Sequence, residues 1–260
     1  MRKDEEMRIN KYISHNTKYS RREADELIKS GKVKIDGKII DDLSTKVTKE
    51  SRVMLFNKPI KERDMFTVIV YNKPKGELVT KKDDRGRKTI YDSLGKRYAH
   101  FIPIGRLDYA SEGLLLLTDS PSIATILMQS SLERIYQLKI RGLVTESMQN
   151  GMKNGISVKF AQKGGHKKSK IESMDFAPFL GYKIINNSEK YSKLRVAISE
   201  GKNRELRRFF AYFDSEVMDL KRLEFGGISL DTLPVGKSRY LTKSEYNSLH
   251  NYIKELRKNG

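Results

Sequence analysis

Apolar and polar positions follow two rhythms in turn along this chain. Ile9, Tyr12 and Ile13 recur at helical spacing. Ser20-Arg21-Arg22-Glu23 has the form of a capping box and opens a second helix with an apolar face of Ala24, Leu27 and Ile28, which Gly31 can end. Val33 and Ile35 then alternate with lysines, Asp36-Gly37 suits a tight hairpin turn, and Ile39-Ile40 begins the return strand. Two helices feeding a small hairpin sheet make a first domain. Asn57-Lys58-Pro59-Ile60 through Asp64 breaks the rhythm with a proline and mixed charges and reads as a linker. The boundary is placed near Met65, giving domains 1–64 and 65–260.

The second domain interleaves strands with helices. Val68-Ile69-Val70-Tyr71 reads as a buried strand ending at the turn Asn72-Lys73-Pro74-Lys75-Gly76, with a charged loop through Arg87. A second apolar approach, Phe101 to Ile104, delivers Gly105-Arg106-Leu107-Asp108, and Gly113 starts a strand over Leu114 to Leu117, so Asp108 sits between two strands. Thr118 to Pro121 starts a helix capped by Asp119 or Ser120, with Ile123, Ala124, Ile126 and Leu127 as core. Glu133 to Ile140 alternates so that Tyr136, Leu138 and Ile140 share a face.

From Ser157 to Lys190 the pattern loosens around Gly164-Gly165 and several lysines, a basic excursion that is either a solvated loop or one facing a polyanionic partner. Leu194, Val196 and Ile198 restore a strand, and after Glu200-Gly201 a helix carries Leu206, Phe209, Phe210 and Phe213 on one stripe. At about 100° per residue Arg204 and Arg208 fall opposite that stripe, while Arg207 lies on its flank and is best placed to face inward. Thr242-Lys243-Ser244-Glu245 is another capping box, opening a terminal helix that packs through Tyr246, Leu249, Ile253 and Leu256.

Charge narrows the partners. With 52 Lys plus Arg against 33 Asp plus Glu, the net charge of +19 makes a field that attracts polyanions, so nucleic acid leads. The basic residues are dispersed and no lipid-inserting segment stands out, which sets a membrane partner aside. There is no cysteine, hence no disulfide, thiolate metal site or cysteine nucleophile. His15, His100, His166 and His250 are scattered without metal-ligand spacing, and no phosphate-binding glycine loop occurs, so neither a metal nor a nucleotide cofactor is expected. Met1 to Arg8 mixes charges without an apolar core and so is no signal peptide; a cytoplasmic location is expected by elimination.

Taken alone, an aspartate in a Gly-x-x-Asp turn more often satisfies local backbone N–H groups than performs chemistry. Arg21, Arg22, Lys29, Lys32 and Lys34, crowded at the first helix–hairpin junction, equally suit a phosphate backbone or an ordinary solvated face.

Longer stretches go further. "GRLDYASEGLLLLTDS", "ERIYQLKIRG" and "EGKNRELRRFF", in that order, resemble the RsuA-type family of ribosomal RNA pseudouridine synthases, and the resemblance runs from Arg8 to about Thr242. "NKYIS…SRREADELIKSGKVKIDGK" resembles the S4 RNA-binding domain. The resemblance implies an α+β fold: a small S4-like helix–hairpin domain and a larger domain with a mixed, largely antiparallel sheet and a central cleft. It makes Asp108 the catalytic nucleophile or base, attacking the sugar or the ring or removing a sugar proton. Tyr136 would pack on the target uracil, Arg207 would pair with Asp108, Arg106 would help hold the flipped nucleotide, and Leu220 would line the apolar side of the pocket. The strand and turn containing Val217, Leu220, Arg222 and Gly226-Gly227 fit the family as well. Arg204 and Arg208 are candidates for phosphate contacts. Ser111 stands where threonine is frequent in the family and Glu205 where glutamine is more usual. The basic cluster from Arg21 to Lys34 becomes an RNA contact.

No cofactor is implied. The partner is ribosomal RNA or a pre-ribosomal particle, met by a monomer. "NKPKGELVT" looks more like the large-subunit, RluB-like branch, which favours 23S RNA; the alternatives are the same reaction on 16S RNA, or a catalytically silent ribosome-assembly factor.

Overall fold

The structure is a computed structural model describing residues 6–17, 19–48, 50–61, 66–159, 161–165 and 169–259. In its N-terminal part β1 (Met7–Arg8) leads into α1 (Ile9–Asn16) and α2 (Arg21–Lys29). The capping box forms: Glu23 N donates to Ser20 Oγ at 3.3 Å and Ser20 N to Glu23 Oε2 at 2.7 Å. Such a cap stabilises a helix by about 1 kcal/mol because two otherwise orphaned N–H groups find acceptors. β2 (Val33–Ile35) and β3 (Lys38–Ile39) flank Asp36 and Gly37, both at positive φ, the turn whose twist matches that of the strands it joins. β4 (Lys46–Val47) pairs with β1, and β5 (Val53–Leu55) with β2. Ile9, Ile13, Ala24, Ile28, Val33 and Val47 are fully buried between these elements.

The linker starts later than its proline suggested. Lys58 and Pro59 form β6 (Lys58–Pro59), which turns back on β5 through Phe56 and Asn57, both left-handed. Proline is tolerated there because β6 is an edge strand. The boundary expected near Met65 lies outside the described residues.

The second part introduces β7 (Val68–Lys73), α3 (Ile90–Leu94), β8 (Ile102–Pro103), β9 (Glu112–Thr118), α4 (Pro121–Gln129), β10 (Arg134–Arg141) and α5 (Glu146–Asn154). It continues with β11 (Ile156–Val158), β12 (Met174–Phe176), β13 (Gly181–Asn186), β14 (Tyr191–Ile198), α6 (Glu205–Tyr212), β15 (Val217–Phe225), β16 (Ile228–Ser229), β17 (Ser238–Tyr240) and α7 (Lys243–Asn259). The main sheet runs β13-β14-β10-β15-β9-β7-β17, with β16 beside β15 and β8 beside β9. Every pairing in it is antiparallel except β9 with β15. The fold is thus α+β, with a mixed and largely antiparallel sheet.

Alternation along β7 and β9 separates two cores. Val68, Val70, Leu114 and Leu116 pack with Ile123 and Leu127 of α4 and Leu249 and Ile253 of α7. Ile69, Tyr71, Leu115 and Leu117 belong to the other core, with Tyr136, Leu138, Leu194, Val196, Leu206 and Phe210. Leu256, read as part of the last helix's apolar face, is 41% exposed, so that face ends at Ile253. The loose 157–190 segment is more ordered than its composition suggested: β11 pairs with β12, and β13 forms one edge of the main sheet. Its strands are short or half exposed, so hydrophobic periodicity barely marks them.

At the centre, β9 meets β15 only through Glu112 opposite Lys221 and Gly113 opposite Arg222. The backbones come so close that a Cβ on Gly113, at φ +101°, would lie 2.2 Å from the Arg222 carbonyl oxygen. The turn bearing Asp108 feeds β9 at this junction. Among the described residues no helix is long and apolar enough to cross a membrane.

Candidate active site

Two turns bring the chemistry together. The first, between β8 and β9, is tied down from below by Lys73. Side chains alternate along β7, so Lys73 follows Ile69 and Tyr71 onto the buried face and is fully enclosed. Its Nζ donates to the carbonyls of Pro74 at 2.9 Å, Asp108 at 3.2 Å and Ser111 at 2.9 Å, matching three acceptors to the three hydrogens of an ammonium. Burial pulls its pKa down to about 8, against the opposing pull of Glu77, Asp108 and Glu112. Lys73 was read as part of the turn that ends the strand, with no role assigned. Continued alternation past Tyr71 was the signal that it points inward.

The second turn precedes α6. Arg204 was placed opposite that helix's apolar stripe by assuming that it lies on the helix, but the helix begins at Glu205. Arg204 is the preceding residue, left-handed at φ 52° and ψ 33°. This conformation sends its guanidinium toward the β8–β9 turn, where Nη1 donates to Asp108 Oδ2 at 2.9 Å and Nε to the Gly164 carbonyl at 2.7 Å. Arg207 also reaches the aspartate, with Nε 3.5 Å from the same Oδ2. Its Nη1 donates to the Val217 carbonyl at 2.8 Å and Nη2 to Ser111 Oγ at 3.3 Å. Burial, then the charge of Arg204, lowers the Arg207 pKa, with Asp108 pulling the other way. Glu205 closes the turn by accepting from Lys202 N at 2.9 Å, and burial raises its pKa.

Arg208 is a correction. It was expected at the surface as a phosphate contact, but it is 1% exposed, and its guanidinium is turned inward. It donates to the Asn203 carbonyl and side chain, the Ala161 carbonyl and Ser169 Oγ. Those groups lie on the Asn203 turn and on the basic excursion, so Arg208 staples one to the other. Helical periodicity treats every arginine as polar and cannot register acceptors arriving from a loop some forty residues away. Gly164 allows the loop to close in: a Cβ there would lie 2.3 Å from the Arg207 carbonyl oxygen.

The remaining candidates fall in two groups. Tyr136, opposite Arg222 and Val196, and Leu220, opposite Leu138, lie in the apolar core that also contains Leu107, the neighbour of Asp108. Arg106 is exposed, with no hydrogen-bond or ion-pair partner among the described residues. Arg21, Arg22, Lys29 and Lys32 are exposed and Lys34 is half-buried, all on the N-terminal domain away from this turn in sequence; Lys29 pairs with Glu26 at 3.4 Å. A groove lined by Lys163, Gly164, Arg204, Arg207, Glu216 and Val217 opens beside the aspartate's partners. Among the described residues no group of three His, Asp or Glu side chains is arranged to hold a metal ion.

Comparison with known proteins accounts for most of the chain. Residues 67–212 match the RNA pseudouridylate synthase family and residues 7–53 the S4 domain. A protein of Helicobacter pylori called an uncharacterized RNA pseudouridine synthase is 52% identical over 250 residues, covering 95% of each chain. Ribosomal large subunit pseudouridine synthase B of Bacillus subtilis is 34% identical over 244 residues, covering 93% of this chain and 95% of its own. A crystal structure of a pseudouridylate synthase superposes with a TM-score of 0.63 at 26% identity, over 94% of this chain and 99% of that one. With the S4 domain in front and the carboxylate and its arginines at the junction of the sheet's two halves, the chain belongs to the RNA pseudouridylate synthase family.

Proposed function

We propose that this protein converts a uridine of the large-subunit, 23S ribosomal RNA to pseudouridine, with Asp108 as the catalytic residue. The observation that carries this reading is the division of labour on its carboxylate. Oδ2 is engaged by Arg204 and lies within ion-pair distance of Arg207, while Oδ1 has no partner among the described residues and the side chain is 35% exposed. One oxygen fixes the orientation and the other is left for the substrate.

The reaction breaks the bond between uracil N1 and the ribose, turns the ring, and joins C5 to the sugar; C5 gives up its proton to solvent and N1 takes one up, so the change is an isomerisation. An ionised carboxylate held in place serves each route for this exchange: attack on the sugar, attack on the ring, or removal of a sugar proton. A uridine within folded RNA must first leave its stack, at a cost of a few kcal/mol. Arg106, exposed on the same turn as Asp108, fills the vacated space. Tyr136 and Leu220 supply the apolar wall for the extruded ring. Arg21, Arg22, Lys29, Lys32 and Lys34 hold the RNA backbone through the S4 domain, and the enzyme acts as a monomer in the cytoplasm.

The choice of 23S RNA rests on the sequence from Asn72 to Thr80 and on the large-subunit name of the Bacillus subtilis relative. Mapping pseudouridine in ribosomal RNA from cells lacking the gene tests it. A single site missing from 23S RNA is expected; a site missing from 16S RNA instead would overturn the assignment.

A further inference from the structure

The face of β10, β13, β14 and β15 turned away from the core carries a row of basic side chains in register. Lys183 stands opposite Arg195, Arg195 opposite Gln137, and Gln137 opposite Lys221. One step along, Lys193 faces Lys139, which faces Asp219. Lys183, Lys193 and Arg195 are exposed, and no described element covers them.

Neutralisation is sparse here. Lys183, Lys193, Arg195 and Lys221 have no carboxylate within ion-pair distance among the described residues. Asp219 is already paired with Lys75. Lys139 sits 4.1 Å from the centre of the Tyr191 ring, which covers that ring with a cation. Like charges directly opposite on neighbouring strands destabilise a sheet, so this arrangement disfavours the fold unless a polyanion lies on it.

Geometry narrows the polyanion. Adjacent strands are about 4.8 Å apart, so the Lys183–Lys221 row spans roughly 14 Å across the sheet. Binding of single strands relies on exposed aromatic platforms, whereas Tyr191, on this face, is half-buried with Lys139 and Lys190 over its ring, and Tyr182 points into the core on the other side. A basic sheet face without fully exposed aromatic rings suits the phosphates flanking the wide, shallow minor groove of an RNA duplex.

We propose that this sheet face docks the phosphate backbone of double-helical RNA flanking the target nucleotide, a contact separate from the S4 domain and from Asp108. The inference rests on the RNA reading above and deepens it.

The test combines Lys183→Gln, Lys193→Gln, Arg195→Gln and Lys221→Gln in the full chain. Its probes are a perfect RNA duplex without any target loop and a single-stranded RNA of the same length, neither of which depends on modification occurring. Filter binding across several salt concentrations is expected to show at least a tenfold loss of duplex affinity, a shallower salt dependence by two or more counterions, and much less change for the single strand. The thermal midpoint should hold or rise, since repulsion is removed. Unchanged duplex affinity, or equal loss on both RNAs, would overturn the proposal. Loss of modification by the wild-type enzyme on 23S RNA would count against the proposed function alone.

Discussion

Arg204 reaches Asp108 from a left-handed turn just before α6, placing Nη1 2.9 Å from Oδ2, and the helix itself brings Arg207 to 3.5 Å from the same oxygen. The two arginines therefore differ in what else they hold. Arg204 adds one bond to the Gly164 carbonyl, whereas Arg207 also serves Val217 and Ser111. A charge-assisted hydrogen bond contributes about 1.5–3 kcal/mol, which corresponds to roughly ten- to hundredfold in rate. Arg204→Gln is expected to lower kcat by that factor with little change in thermal stability. Arg207→Gln should lower both kcat and the thermal midpoint, because the Val217 carbonyl loses its donor. Wild-type turnover in Arg204→Gln would show that the contact has no part in the reaction.

Arg208 does not touch Asp108; it holds the Asn203 turn and the loop carrying Ala161 and Ser169, whose Gly164 carbonyl receives Arg204. Replacing it with methionine leaves the carbonyls of Ala161 and Asn203 without their donor, at about 1–3 kcal/mol for each buried acceptor. Arg208→Met should therefore unfold at lower urea and also lose kcat, and Arg208→Lys should recover part of both. A surface phosphate contact would instead change salt-dependent RNA affinity and leave the urea midpoint alone.

His15 gives the N-terminal domain a pH dependence. Burial first, and then the charges of Lys11 and Arg21, lower its pKa from 6.5 to about 4. The fold thus favours the neutral ring. That stability is complete above pH 6.5 and is lost as pH falls toward 4, while the unfolded chain binds a proton that the folded one refuses. The full effect is on the order of 3 kcal/mol. Urea denaturation of the whole protein between pH 7 and 5 should show a decline that is smaller in His15→Gln. Parallel declines in the two proteins would assign the dependence to other groups.

Legibility in the sequence depended on how local each signal was. The capping boxes at Ser20 and Thr242 and the Asp36-Gly37 hairpin are set by residues within a few positions, and all three form. Tyr136, Leu138 and Ile140 do share a buried face, because β10 alternates over its whole length. Most of the errors have a common origin. The left-handed Arg204, the buried Lys73 and the buried Arg208 all depend on partners distant in sequence, whereas β6 was missed because its proline hid a local hairpin. A lysine or arginine inside a core is stable only when carbonyls arrive to meet it, and the pattern around the residue does not record their arrival. The strands within 157–190 were missed because a sheet edge open to water on one side needs little apolar sequence.

The most direct test replaces Asp108 with asparagine and measures tritium release from ribosomal RNA labelled at uridine C5, alongside RNA affinity by filter binding. Asparagine keeps the shape of the side chain but cannot supply an ionised oxygen. The account predicts no release above background with affinity close to that of the wild type. Release at the wild-type rate, from a preparation free of any other synthase, would contradict it.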